Sequence, residues 1–315
     1  MEATTPSTPR AAPGTPVLGV ARRRVGEDVI KGLLFTAAMV SVLTTIGIVI
    51  SLLGETIVFF GEVGVFDFLT GRDWSPLFAD PKFGVLPLVA GTLLITAIAL
   101  VVAVPLGLGA AIYLSEYATA RVRRTVKPVI EILAGIPTIV FGYFALVFFT
   151  PVVLQDLLGL DVKVFNALSA GIVMGFMVMP TIASVSEDAL SSVPQSLREG
   201  AFGLGAAKWQ VVVRVVFPAA LSGIVAALVL GASRAIGETV VILVASGNNP
   251  NLTFDLAVAH QNMAAFIANV ARSDVSAGSV AYATIFAVGT TLFVMTFALN
   301  LVAIRFVRRY RQVYE

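Results

Sequence analysis

The chain has 315 residues, of which 57% are hydrophobic and 13% charged, and its mean hydropathy is +0.93. Soluble globular proteins carry about 25% charged residues, so this composition indicates an integral membrane protein. Cysteine is absent and histidine occurs once, which excludes disulfides and thiolate zinc sites, and the net charge of +2 is too small to suggest a nucleic-acid partner.

The N-terminal residues differ in composition from the rest. Residues 1–20 are rich in Thr, Pro, Ala and Gly, and we expect residues 1–28 to form a disordered cytoplasmic tail. The apolar run at 32–53 is longer than the hydrophobic part of a signal peptide and lacks a clear cleavage site. It is therefore predicted to be an uncleaved first span, which together with its outer loop makes up residues 29–84.

Six apolar runs are long enough to cross a bilayer, which takes about 20 residues in a helix. They cover residues 32–53, 85–114, 129–154, 165–185, 219–246 and 277–306. A barrel would instead show alternating segments of about ten residues. The sequence therefore predicts an all-α integral membrane bundle of six transmembrane helices, with a core domain at 85–306 and a cytoplasmic C-terminal tail at 307–315.

The basic residues set the orientation of this bundle. With the N-terminus inside, 16 of the 21 Lys and Arg residues fall in cytoplasmic segments and four in outer segments. This bias predicts that both termini are cytoplasmic. The outer segments at 54–84 and 247–276 are either interfacial loops with aromatic anchors or a docking surface for an extracytoplasmic partner. The remaining basic residue, Arg234, lies within the fifth run.

A polar stretch with several glycines separates the fourth and fifth runs, in a cytoplasmic loop predicted at 186–217. Ser196 and Glu199 have the spacing of a capping box at the start of a short amphipathic helix. Gly203 and Gly205 are expected to end that helix, and Pro218 to start the fifth span.

This stretch resembles the cytoplasmic signature of ABC importer permeases, in which a short helix inserts into a groove on a separate ATPase subunit. The resemblance implies five ATPase-coupling residues: Glu199, Gly200, Ala201, Gly205 and Pro218. Gly200 departs from the pattern, which usually has Ala there. None of the five lysines has the glycine and hydroxyl neighbours of a phosphate-binding loop. We therefore expect a non-catalytic permease subunit without a cofactor of its own, whose partners bind ATP and Mg²⁺.

Two charged residues lie within the fifth run. Arg234 and Glu238 are four residues apart, so a continuous helix would place them on one face, one turn apart. An arginine at the bilayer centre costs about 3 kcal/mol on insertion scales, so Arg234 is expected to face the bundle interior. The pair is either a structural ion pair or an oxyanion site. In a site, Arg234 would supply a donor fork, Glu238 would accept from a protonated anion, and Ser233 and Thr239 would complete the substrate pathway.

Two further residues were weighed as functional candidates. Glu131 lies about one helical turn beyond Lys127 at the inner border, where it is either a functional group or a partner for the neighbouring arginines. His260 is expected at the surface of an outer loop rather than as a ligand.

Three segments, Arg234–Thr239, Glu131–Pro137 and Tyr113–Tyr117, resemble permeases of the phosphate-specific (Pst) ABC importers, of the PstC type rather than PstA. The likeness runs over residues 83–306. It implies a MetI-like permease fold in the plasma membrane of a prokaryote and transport of inorganic phosphate. The implied partners are a PstA-like second permease, two PstB-like ATP-binding subunits, a PstS-like extracytoplasmic phosphate-binding protein and membrane lipid.

Three alternatives remain open from the residues. The chain could be an ABC permease for another oxyanion, such as sulfate or molybdate. It could be a secondary anion transporter or channel that works without ATPases. It could also be a membrane scaffold or sensor, which would leave Arg234 and Glu238 without a transport role.

Overall fold

The computed structural model describes residues 25–310, in which every regular element is helical. The α-helices are α1 Val25–Glu62, α2 Val65–Thr70, α3 Leu86–Ile112, α4 Ala120–Ala134, α5 Thr138–Phe144, α6 Ala167–Ser191, α7 Gln195–Gly203, α8 Lys208–Val211, α9 Phe217–Ile236, α10 Val240–Ala245, α11 Met263–Ala271 and α12 Val280–Tyr310. Three π-helical segments, Tyr113–Tyr117, Ala145–Leu157 and Val212–Val216, extend α3, extend α5 and join α8 to α9.

Within the described residues, six helical stretches are long and apolar enough to span a membrane, which confirms the predicted six-helix architecture. They are Gly26–Glu62, Leu86–Tyr117, Thr138–Leu157, Ala167–Ser191, Lys208–Ile236 and Val280–Val307. The predicted tails fall largely at residues 1–24 and 311–315, outside the described range. Residues 25–28 and 307–310 belong to α1 and α12 instead.

The predicted third span, 129–154, is wrong in its first part. Residues 129–134 belong to α4, an amphipathic helix, and the spanning stretch starts at Thr138 after a turn at residues 135–137. Pro137 causes this break, because proline has no N–H to donate and disfavours the helical conformation in the residue before it.

The chain divides into two compact units, one ending at Ser51 and the other beginning at Leu52. In the first unit, nearly all described side chains of α1 are exposed although most are apolar. A helix whose exposed side chains are apolar on all sides is suited to contact with lipid.

Helices α3 and α6 form the centre of the second unit because glycines let them approach closely. A Cβ at Gly171 would lie 2.6 Å from the Ile98 Cβ, and one at Gly175 would lie 2.7 Å from the Val102 Cβ. Small residues at such spacing are typical of closely packed helices in membranes. Helix α9 packs on the opposite end of α6 in the same way, with Gly223 against Ala189.

The outer segments form a packed cap in which several aromatic residues are buried. The ring centroids of Trp74 and Phe266 lie 4.9 Å apart in an edge-to-face arrangement, which joins the two outer segments. Phe59 and Phe68 are buried beside them. These aromatic side chains therefore act as a core rather than as interfacial anchors.

Candidate functional site

The fifth apolar run of the sequence, residues 219–246, is interrupted at residues 237–239, which we call the helix break. Helix α9 ends at Ile236, and α10 starts at Val240. The Glu238 carboxylate Oε1 accepts hydrogen bonds from the backbone N–H groups of Val240 (3.0 Å) and Val241 (3.2 Å). A side chain that caps a new helix in this way stops the preceding one from continuing. The prediction of a continuous helix with Arg234 and Glu238 on one face is therefore wrong.

Arg234 is half-buried, and its Nη1 donates to the Thr181 hydroxyl at 2.9 Å. Of the described residues, no carboxylate forms an ion pair with it, so the structural ion pair with Glu238 is not present. Thr181 lies about 21 Å from the outer end of α6 and about 15 Å from its inner end, at 1.5 Å per residue. The arginine therefore lies near mid-depth, as the sequence predicted, and keeps donors for another ligand.

The other two predicted pathway residues point elsewhere. The Ser233 hydroxyl lies 3.4 Å from the Asn300 Oδ1 of α12, beside a largely apolar groove between α9 and α12. The Thr239 hydroxyl lies 3.3 Å from the Gly237 carbonyl oxygen within the helix break. Arg234 thus lies just before the break and Thr239 lies within it, whereas Ser233 faces α12.

Asn262 supports the helix break from the outer side. Its Nδ2 donates to the Glu238 carbonyl oxygen at 2.8 Å, which satisfies a backbone group that the break leaves without a helical partner. The sequence analysis named neither Thr181 nor Asn262. The only available signals were Pro180 beside Thr181 and the polar character of Asn262 after an apolar segment.

The loop that joins α6 to α8, residues 192–207, is shorter than the predicted 186–217, because α6 extends to Ser191 and the helix resumes at Lys208. The predicted capping box is wrong. Helix α7 starts after Pro194, so Ser196 lies inside its first turn and no side chain caps it. Gly205 does end this helix: its φ is +80°, and the Ala206 N–H donates to the Ala201 carbonyl at 3.1 Å.

One face of this α6–α8 loop, together with the first turn of α8, is exposed and partly apolar. Glu199 and Gly200 are exposed, as are Phe202, Trp209 and above all Leu204, at 91%. Apolar side chains exposed together on a water-facing loop mark a protein-binding surface. Leu204 belongs to the apolar pattern of the predicted short helix, whereas nothing in the sequence singles out Trp209.

Pro218 lies in the first turn of α9, the helix N-terminal position predicted for it. The spanning helical stretch nevertheless begins earlier, at Lys208, because the π-helical segment Val212–Val216 joins α8 to α9 directly before the proline. A π turn widens the hydrogen-bonding register, so the helix accommodates a residue without an N–H group.

Ion pairs gather at the cytoplasmic ends of the helices. Glu187 of α6 is fully buried and pairs with Arg123 and Lys127 of α4. Hydrogen bonds to Glu187 and then Asp188 raise the pKa of Lys127. Glu131 is exposed, and among the described side chains it forms no ion pair with Arg121, Arg123 or Arg124, so that expected contact is not formed.

His260 is fully buried, contrary to prediction. Its ring nitrogens lie 3.1 Å from the Val258 carbonyl oxygen and 3.0 Å from the Thr253 carbonyl oxygen. The His260 ring therefore stabilises the outer loop by contacting two backbone carbonyl groups of that loop. No group of acidic or histidine side chains in the described range is arranged to hold a metal ion.

Comparison with known proteins gives a consistent family. The family described as binding-protein-dependent transport system inner membrane component matches residues 103–312. The probable ABC transporter permease protein YqgH of Bacillus subtilis is 37% identical over 80% of each chain. The phosphate transport system permease protein PstC of Mesorhizobium japonicum is 34% identical over 76% of this chain and 77% of its own.

Solved structures agree on the fold. A permease chain of a bacterial alginate ABC transporter matches with a TM-score of 0.64 at 19% identity, over 93% of this chain and all of that one. A chain of the MetNI methionine ABC transporter, in an inward-facing conformation, matches with a TM-score of 0.55 at 20% identity, over 73% of this chain and 95% of its own. The predicted ABC importer permease fold is therefore confirmed.

Proposed function

Because the chain belongs to the family of binding-protein-dependent transport system inner membrane components, we propose that it is the transmembrane permease subunit of an ATP-driven inorganic phosphate importer. The six spans and the family place it in the plasma membrane of a prokaryote as a multi-pass protein. Several relatives named PstC, at 33–36% identity, support phosphate as the substrate.

The environment of Arg234 is the observation that supports an oxyanion as the substrate. A guanidinium at mid-depth with a single neutral partner, Thr181, is poised for an oxyanion. Glu238 uses Oε1 to cap α10, while its Oε2 forms no hydrogen bond with the described residues. That oxygen can accept a hydrogen bond from the P–OH group of hydrogen phosphate, a donor that sulfate lacks. The pathway is therefore assigned to the helix break, with Arg234, Glu238 and Thr239 beside it.

ATP binding and hydrolysis are proposed to take place in separate subunits. The exposed face around Glu199 and Leu204 offers an acidic group and an apolar side chain to a cytoplasmic partner. We assign this face to an ATP-binding subunit of the PstB type, and the ATP and Mg²⁺ sites to that subunit. A PstA-like permease and a PstS-like phosphate-binding protein complete the assembly, and this chain itself is non-catalytic.

Transport would follow alternating access. The binding protein delivers phosphate to the outer face, the ATPase subunits close on ATP, and α7 transmits that movement to the spans. The contact with Arg234 should be weak, because a deep energy minimum along the pathway would slow release.

The test is uptake by the complex reconstituted into vesicles. Phosphate accumulation should require both ATP and the binding protein, and excess sulfate or molybdate should leave it unchanged. Competition by either anion would indicate a permease for another oxyanion. Uptake without ATP, driven by an ion gradient, would contradict the importer assignment.

A further inference from the structure

The π-helical segment Tyr113–Tyr117 at the inner end of α3 contacts both the α6–α8 loop and the first residue of α8. The Arg198 guanidinium of α7 donates to the Glu116 carboxylate at 2.9 Å. The Lys208 ammonium at the start of α8 lies 4.8 Å from the centre of the Tyr117 ring. The segment is thus held on both flanks of the loop that we assign to ATPase coupling.

The ion pair between Arg198 and Glu116 is shielded from water. The Arg198 side chain is 11% exposed and the Glu116 side chain 8% exposed. The Ser115 hydroxyl also donates to the Glu116 Oε1 at 3.0 Å, which fixes the carboxylate. Charged pairs in such surroundings are directional and costly to break, because each partner would otherwise be left buried and unpaired.

Arg198 also contacts the inner end of α6. It donates to the Leu190 carbonyl oxygen at 2.9 Å and to the Val193 carbonyl oxygen. One side chain of α7 therefore joins the ends of both helices that form the centre of the bundle. Its neighbour Glu199 is exposed, so α7 presents adjacent charges to opposite sides.

The π-helical form of the segment adds to this assignment. Single π turns are rare and occur mostly inside α-helices, frequently at functional sites. Here the turn lies between the tightly packed part of α3 and the α6–α8 loop. A movement of α7 would displace α3 through this turn. It would displace the inner end of α6 and the residues that follow it through the Leu190 and Val193 carbonyl groups.

We propose that Arg198 and Glu116 are positioning residues that carry the movement of α7 into α3 and α6, and so couple ATP hydrolysis to transport. The inference rests on the proposed function, since it needs an ATPase that docks on α7. It predicts that loss of the pair uncouples the two activities rather than abolishing either.

The experiment measures phosphate uptake and ATP hydrolysis in the same vesicles, with the full complex and binding protein. Glu116→Gln and Arg198→Gln should each lower phosphate imported per ATP hydrolysed by about tenfold, within the usual range of coupling energies. The double variant should lower the ratio no further, because both changes remove one interaction. Arg121→Gln is the matched control, since it removes an exposed arginine of α4 on the same side.

The outcomes separate the two claims. ATP-independent or absent phosphate uptake by the unsubstituted complex would defeat the proposed function. If that complex imports phosphate and the variants lose uptake and hydrolysis in proportion, the pair is only structural and the inference is overturned. An unchanged ratio in an intact variant complex overturns it as well. A Glu116→Asp variant, which keeps the charge, should recover most of the ratio.

Discussion

The α6–α8 loop and the helix break both interrupt the helical path, but their polar groups point in opposite directions. In the loop, the side chains of Glu199 and Leu204 are exposed, and neither forms a hydrogen bond or ion pair with the described residues. In the break, Glu238 and Asn262 turn inward and satisfy backbone groups. An interruption at the depth of the lipid must pair its own backbone, whereas one in water can leave side chains for a partner.

The largest effect is expected at the break. Arg234→Ala should reduce ATP-driven phosphate uptake by about a hundredfold, since a hydrogen bond to a charged group contributes about 1.5–3 kcal/mol. The assembled complex should be recovered in normal amount, because Arg234 has a single neutral hydrogen-bond partner. Arg214→Ala, an exposed arginine nearer the inner end of the same helical stretch, is the control. Equal uptake by both variants would remove Arg234 from the pathway.

A smaller effect, on assembly alone, is expected in the loop. Leu204→Ala should weaken binding of the ATPase subunit by about tenfold, since burial of a leucine side chain is worth about 1.5–3 kcal/mol. The thermal stability of the isolated permease should not change, because Leu204 is 91% exposed. Titration of the ATPase onto the detergent-solubilised permease would measure the affinity. A loss of permease stability would show that Leu204 packs within this chain.

Two substitutions of Glu238 separate its capping of α10 from its proposed contact with the anion. Glu238→Ala should cost about 1 kcal/mol of stability, because the N–H groups of Val240 and Val241 lose their acceptor. Glu238→Gln keeps an acceptor oxygen and should leave the melting temperature close to that of the unsubstituted chain. Phosphate-over-sulfate preference should change in the Gln variant. An unchanged phosphate-over-sulfate preference would show that Glu238 caps α10 and does not contact the anion.

The smallest effect concerns the inner ion pairs. Hydrogen bonds to Glu187 and Asp188 raise the Lys127 pKa above its ordinary value of 10.5, so this contribution to stability is complete below that pH. It is lost as the pH rises through the folded-state pKa. Melting temperatures between neutral pH and strong alkali should therefore fall less steeply in Lys127→Met than in the unsubstituted chain. Parallel curves would show that the pair adds nothing.

The number, type and orientation of the spans follow from the sequence because lipid imposes long apolar helices and a bias in basic residues. The ends and breaks do not follow as readily. Gly237 and Pro137 are visible as helix-breaking residues, yet other glycines and Pro105 lie inside continuous helices. The outcome depends on whether a side chain from another element pairs the freed backbone groups, as Asn262 does at the break.

The candidate site shows the same division. Residue chemistry pointed to Arg234 and to the signature around Glu199. It did not predict the hydrogen bond between Arg234 and Thr181 or the ion pair between Arg198 and Glu116, because these contacts form only when distant segments meet. Leu204 belongs to the predicted amphipathic pattern, but the sequence does not show that it is the most exposed apolar side chain of the loop. Its exposure in the folded loop is what distinguishes it.

The central claim is that phosphate passes the helix break, and the absence of cysteine in the sequence allows a direct measurement. Thr239→Cys would introduce the only thiol of this chain, at a residue whose hydroxyl contacts nothing but its own backbone turn. During turnover of the complex, built with cysteine-free partner subunits, a membrane-impermeant thiol reagent should modify it, and phosphate, but not sulfate, should slow that modification. A thiol that never reacts, or one that reacts equally fast with and without phosphate, would contradict the account.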